Sequence, residues 1–217
     1  MSRKRVTIKD VAQAAGVSRQ TVSRAINDLG EISPQTRERV LRIAQEMGYR
    51  PSGIARGLAT QRTRTLGLVV PDNANPFFSD VTRGVEHVAY AEEYSVFLCN
   101  TNEDQRRERA VLQSLEEKRV DGIILCSPRL PEDELHKIVT SHLTVVLVNR
   151  SLQDDDTGTV LIDDVAGGKL VTRHLLQTDH RAIGFLAGPA VSRSGQRRAQ
   201  GYRAALAVVG LTVDPGL

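Results

Sequence analysis

Arg19, Gln20, Ser23, Arg24 and Asn27 are the residues of this 217-residue chain whose types and spacing point most directly to chemistry. Steps of one, three and four places gather them on one side of a helix, which turns once every 3.6 residues. A guanidinium can bond bidentately to O6 and N7 of guanine, and an amide to N6 and N7 of adenine. The hydroxyl and amide groups beside them suit phosphate oxygens. No Ser/His/Asp or Cys/His set accompanies this cluster. Its chemistry is therefore recognition rather than bond making.

The elements that must position these groups are written around them. Val22, Ala25 and Ile26 form the apolar stripe opposite the polar face. Upstream, Ile8, Val11, Ala12 and Ala15 repeat at i, i+3, i+4 and i+7, the pattern of an amphipathic helix. Gly16 can adopt the left-handed conformation that ends that helix, and Val17 then turns back to the core. Ser18 is a good N-cap for the second helix, since its hydroxyl accepts from a free N–H of the first turn. Thr7–Asn27 thus predicts a helix-turn-helix whose second helix suits the DNA major groove. Two short helices at a Gly turn also occur in all-α cores, so the charge distribution matters. Residues 1–64 hold 13 Lys+Arg against 5 Asp+Glu, a net +8, and residues 65–217 hold 16 against 21, a net −5. A basic head on an acidic body is the pattern expected when only the head meets a polyanion.

Ser33-Pro34 signals a third helix, an N-cap followed by proline at the first helical position. Val40, Leu41, Ala44 and Met47 give it a buried face, and Gly48 is placed to end it. The connector GYRPSGIARGLATQRTR has only a weak helical pattern, and Gly53 and Gly57 each cost about 1 kcal/mol of helix propensity relative to Ala. It is expected to order only on DNA.

From Thr65 the texture changes. The apolar runs 66–70, 95–100, 122–126, 144–148, 159–162 and 182–188 alternate with amphipathic helical stretches. That alternation predicts βαβ units in a doubly wound parallel sheet, and the continuously apolar strands predict a sheet covered on both faces. Ligands of such sheets sit beyond the carboxyl ends of the strands. There the chain carries Asp72-Asn73, Asn100-Thr101-Asn102, Ser127, Asn149-Arg150, Asp163-Asp164 and the loop 188–194. This row fits a neutral or weakly charged polyhydroxylated ligand. Turns after strands are polar in any case, and position alone leaves that plainer reading open.

Composition excludes other classes. No apolar run approaches the roughly 20 residues of a membrane span, and MSRKRVTIKD lacks the apolar stretch of a secretory signal. Cys99 and Cys126 lie in apolar runs without C-x-x-C spacing, as buried reduced thiols of a cytosolic protein would. The five histidines form no ligand pairs, so neither a metal nor a cofactor is expected. An enzyme on a doubly wound sheet, such as a sugar kinase, is the competing class. No G-x-G-x-x-G or G-x-x-x-x-G-K-[ST] follows any strand, and Asp163-Asp164 with Gly167-Gly168 is only a loose imitation.

TIKDVAQAAGVSRQTVSRAIN, the Ser33-Pro34 helix, GYRPSGIARGL and LGLVVPDNANPFF together resemble a transcription regulator of the lactose-repressor/galactose-repressor family. The resemblance implies a multidomain chain. A helix-turn-helix DNA-binding domain would occupy 1–48, a hinge 49–64, the N-terminal lobe of a periplasmic-binding-protein-like effector domain 65–150, and an incomplete C-terminal lobe 151–217. It also implies a bacterial cytoplasmic homodimer that represses transcription from double-stranded operator DNA under control of a small effector such as a sugar. Arg19, Gln20 and Arg24 match the base-reading positions. Thr7, Ser18, Thr21, Ser23 and Asn27 match phosphate-contacting or positioning sites. Ala55, Arg56 and Leu58 match the hinge helix, with Leu58 as the minor-groove wedge. Asn73, Phe77, Phe78, Asn149, Ser192, Ser194 and Arg198 match effector positions, although helix-start core packing is the other reading for Phe77 and Phe78. The family pattern runs longer than this chain, which implies a C-terminal truncation. A DNA-binding protein that has lost effector gating through that truncation is the alternative function.

Overall fold

The computed structural model describes residues 6–50, 57, 62–140, 144–152 and 157–213. The chain divides into two compact units, Met1–Thr63 and Arg64–Leu217.

The first unit holds three helices, α1 (Ile8–Ala15), α2 (Arg19–Asn27) and α3 (Pro34–Glu46). Their ends are set locally. Thr7 caps α1 in a reciprocal box with Asp10, Gly16 follows at φ 63°, Ser18 caps α2, and Ser33 caps α3 just before Pro34. Gly48 takes φ 65° after α3, while the Tyr49 N–H reaches back to the Ala44 carbonyl at 2.9 Å. Val11, Ala12, Ala15, Val22, Ala25, Val40 and Ala44 form the core, with Val17 and Ile26 packed on it. Val11, Val22 and Val40 are fully buried, and each such side chain contributes about 1.5–3 kcal/mol of transfer free energy.

The second unit is built on one parallel sheet of β1 (Thr65–Val70), β2 (Ser95–Asn100), β3 (Gly122–Cys126), β4 (Val145–Val148) and β5 (Gly158–Val160). Their order is β2-β1-β3-β4-β5, with every neighbouring pair parallel. Helices α4 (Pro76–Ala91), α5 (Gln105–Glu117) and α6 (Glu132–Val139) connect the first four strands. Leu68, Val70, Cys126 and Val148 pack with Phe78 on one face of the sheet. Val69, Ile123, Leu125, Val145 and Leu147 pack with Leu112, Leu115 and Leu135 on the other. Both faces are covered, which is why the strands read as unbroken apolar runs. Gly67 is required by closeness, because a Cβ there would drive into the Leu115 side chain.

Helices α7 (Asp164–Gln177) and α8 (Arg193–Val208) follow the sheet and cross tightly. A methyl group on Gly168 or Gly201 would strike the carbonyl oxygen of Arg198 or Val165. The run 159–162 forms a strand only over its first two residues, and that strand, β5, joins β4 of the first lobe's sheet. The expected strand at 182–188 forms no ladder; Ile183 and Phe185 instead lie against Tyr202 of α8, and Leu186 is 99% exposed. A strand needs a hydrogen-bonding neighbour, and among the described residues none flanks this run. Cys126 is buried and Cys99 half-buried, and both are free thiols. Among the described residues, no helix is long and apolar enough to cross a membrane, and no three His, Cys, Asp or Glu gather as a metal site.

Candidate nucleic-acid interface and ligand cleft

On α2 the buried stripe of Val22 and Ala25 turns the polar residues outward. Arg19 and Gln20 are exposed and carry no side-chain hydrogen bond among the described residues. Arg24 is held differently, its guanidinium 2.6 Å from the carboxylate of Glu31, in the loop before α3. The hydroxyls at the helix start are also engaged. Ser18 Oγ accepts from the Thr21 N–H at 3.1 Å and lies 2.9 Å from Thr21 Oγ1. Asn27 donates to Ser23 Oγ at 3.3 Å, and Thr7 donates its N–H and hydroxyl to Asp10. The helix therefore presents two exposed polar side chains, Arg19 and Gln20, a tethered arginine, Arg24, and the Ser18 and Thr21 hydroxyls that fix its first turn. Ala55, Arg56 and Leu58 lie outside the described residues.

In the second unit the strand order switches at β1, which has β2 on one side and β3 on the other, the position where doubly wound sheets bind ligands. The polar residues beyond the strands are interlinked there. The Asn73 N–H donates to Asn100 Oδ1 at 3.3 Å, Asn100 donates to Asn102 at 2.6 Å, and Asn149 Nδ2 donates to Ser127 Oγ at 3.4 Å. Ser127 and Asn149 adopt φ 45° and 59°. Left-handed backbone is uncommon for residues other than glycine, and it collects at binding sites where the surroundings enforce it.

The two phenylalanines divide. Phe78 is buried in the sheet core, while Phe77 is exposed at the start of α4 with its ring edge-on to Phe78. The structure thus brings Asn73 and Phe77, and not the Phe78 ring, to the solvent side of that loop. Asn149 lines a cavity of about 410 Å³ with Glu132, Arg150, Arg193, Arg197 and Gln200 among its other walls. Ser192 caps α8 through the Gly195 N–H at 3.2 Å and is buried, as is Ser194. Arg198 is turned to Asp164, at 2.7 Å, and faces a separate groove with Tyr202 and Phe185.

Several groups that build this edge gave no sequence signal. The loop after β3 is clamped by α5: Glu108 accepts from the Arg129 N–H at 2.9 Å, Gln105 donates to the Arg129 carbonyl at 2.7 Å, and the Arg129 side chain pairs with Glu103. Glu108 is buried and its Oε1 has no partner, so desolvation raises its pKa against those backbone donors. Arg109 and Glu134 form a bidentate pair at 2.6 and 2.8 Å that ties α5 to α6.

Two family models match the chain. One describes bacterial regulatory proteins of the lacI family and covers residues 7–52. The other describes periplasmic binding proteins and the sugar-binding domain of the LacI family and covers residues 63–215. The HTH-type transcriptional regulator RegA of Clostridium saccharobutylicum is 38% identical over 97% of this chain and 64% of its own length. The crystal structure of the lac repressor dimer bound to operator and the anti-inducer ONPF superposes with a TM-score of 0.79. It is 27% identical over 96% of this chain and 64% of that one. The transcriptional regulator CelR–cellobiose complex gives a TM-score of 0.61 at 32% identity, over 97% of this chain and 64% of that one. The chain thus spans a little under two thirds of each of these proteins.

Proposed function

The chain belongs to the LacI family of bacterial regulatory proteins, and from that premise we propose that it is a sequence-specific DNA-binding transcription regulator. In this reading it acts in the bacterial cytoplasm as a dimeric repressor. A small polar effector such as a sugar alters its hold on operator DNA. The observation that carries the proposal is α2, which is packed on one side and offers the exposed Arg19 and Gln20, with Arg24 beside them, on the other. Arg19, Gln20 and Arg24 read base edges in the major groove. Thr7, Ser18, Thr21, Ser23 and Asn27 set the helix on the phosphates. Ala55, Arg56 and Leu58 enter the minor groove between half-sites.

The likeness to a dimer bound to operator supports pairing of two protomers. So does the exposed apolar surface of Phe97 and Leu98 on edge strand β2 and of Val88 and Tyr90 on α4. The cavity lined by Asn149 is the effector's seat in this reading, with Asn73, Phe77, Ser192 and Ser194 as further effector positions and Arg198 in the neighbouring groove. This is a binding protein and not an enzyme, a reading supported by the regulator relatives. Selection of duplexes from a random pool tests it. The expected result is a pseudopalindromic site whose half-site preferences change in Gln20→Ala. Uniform recovery of all duplexes refutes it.

A further inference from the structure

The polar row beyond the strands calls for hydroxyl groups, but the cavity beside it holds a charge that hydroxyls do not answer. Arg150, Arg193 and Arg197 all line it. Arg197 lies 4.0 Å from Asp163, and Arg198, behind the wall, pairs with Asp164 at 2.7 Å. Arg150 and Arg193 are left to share one carboxylate, Glu132, at 3.5 and 3.0 Å. Among the described residues that line the cavity, three arginines thus face two carboxylates, Glu132 and Asp164. The Arg150 side chain is only 7% exposed, and its Nε is buried without a hydrogen-bond partner. Burial and the neighbouring Arg193 charge both disfavour its ionised form, with Glu132 and then Glu108 opposing. A buried guanidinium with an unmet donor is costly unless something completes its shell.

The helix behind it sharpens the conflict. The first turns of α8 carry Arg193, Arg197 and Arg198 and no acidic residue. Cations there oppose the positive end of the helix dipole, where anions are favoured. The Ser192 hydroxyl takes the Gly195 N–H, and the N–H groups of Arg193 and Ser194 have no carbonyl partner within the helix.

Resting on the reading of this cavity as the effector seat, we infer that the ligand carries an anionic group, a phosphate ester or a carboxylate, on its polyhydroxylated body. The anion lies between Arg150 and Arg193 at the N-terminus of α8, and the amides of Asn149, Gln196 and Gln200 face the hydroxyls. A carboxylate or phosphate there balances the excess of arginine over carboxylate among the described lining residues and meets the helix end.

The test uses the full chain at fixed ionic strength. Calorimetry compares matched sets, glucose with glucose 6-phosphate and gluconate, and ribose with ribose 5-phosphate and ribonate. Amide NMR follows inorganic phosphate alone. The expected result is that phosphate shifts the Arg193 and Ser194 amides, and that an anionic member binds about tenfold or more tighter than its neutral partner. Which anion wins distinguishes ester from acid. Arg193→Gln, at an exposed position, should remove most of that advantage, and Arg150→Gln should do the same where it folds. Equal affinity within every set, unmoved Arg193 and Ser194 amides, or an advantage that survives Arg193→Gln would each overturn the inference. Operator binding on the same preparation separates the two readings. Intact sequence-specific DNA binding without anion preference sinks this inference alone, and loss of specific DNA binding sinks the regulator reading.

Discussion

Arg24 gives the sharpest prediction because it is the one proposed base reader with a partner of its own. Replacing it with Ala removes a bidentate base contact, worth about 1–3 kcal/mol. In the free protein that guanidinium sits 2.6 Å from Glu31, with the two side chains 35% and 71% exposed. An exposed pair of this kind contributes about 0–1 kcal/mol, which wild type gives up on moving to the base. The net loss for Arg24→Ala therefore centres on about 1.5 kcal/mol, or about tenfold in affinity for the selected site. It should be much smaller on a duplex changed at the contacted base pair. Glu31→Gln releases the tether and removes a negative charge near phosphate, and it should tighten binding severalfold. A double-mutant cycle by fluorescence anisotropy separates the two effects. The phosphate component of Glu31→Gln persists when Arg24 is absent, whereas the tether component vanishes. Equal effects of Glu31→Gln in both backgrounds, or an Arg24→Ala loss that is the same on every sequence, would refute the placement of this residue.

Three further outcomes follow from named contacts. Ser18→Ala removes the acceptor of the Thr21 N–H, so it should cost about 1 kcal/mol of head stability in denaturant melts. It should also weaken DNA binding on all sequences alike. Glu108 has a raised pKa from burial, so its contribution to stability is full below its unfolded value and is lost as pH rises through the folded one. Glu108→Gln should accordingly flatten the fall in stability across that window, and an unchanged pH profile would contradict the burial argument. Gly201→Ala gains about 1 kcal/mol of helix propensity but drives a methyl into the Val165 carbonyl and the Lys169 N–H, both backbone groups that cannot swing aside. Thermal melts should show net destabilisation and earlier proteolysis between α7 and α8, and a raised melting temperature would show that the crossing can relax.

What was legible in the residues was what is local or periodic. The ends of α1, α2 and α3 are written in Thr7, Gly16, Ser18, Ser33 and Pro34, because a cap acts within three or four residues. Asn73 and Asn149 could be placed at one edge because every parallel strand ends on the same side of its sheet. The pairings that tune those positions were not legible. Arg24 meets Glu31 only through a loop conformation with φ 60° at Glu31, and Arg150 meets Glu132 across two different strand ends. Phe77 and Phe78 are neighbours of one type, and only the angle at which α4 enters the sheet sends one inward. Glu108 falls on the same stripe as Leu112 and Leu115, so periodicity marks it for burial while its charge marks it for solvent. Burial wins that contest, helped by the Arg129 N–H from the loop after β3, which lies 21 residues away in the chain.

The arginines of this chain work in two electrostatic regimes, and the difference separates its two proposed ligands. Those of the head, Arg19 foremost, are exposed, and in the proposed complex they displace the condensed counterions of DNA, so log affinity should fall linearly with log salt. Arg150 is buried at short range from Glu132, where mobile ions screen weakly. In the proposed complex an acidic body, net −5 over residues 65–217, disfavours the duplex and the basic head favours it. Raising salt should consequently strip the protein from DNA while changing effector affinity far less. An effector also moves the operator equilibrium only as far as it prefers one body conformation over the other. Both quantities can therefore be measured separately on one preparation, DNA affinity along a salt series and ligand affinity at its high end. Parallel salt slopes for the two ligands would mean that Arg150 is not the shielded cation its burial describes.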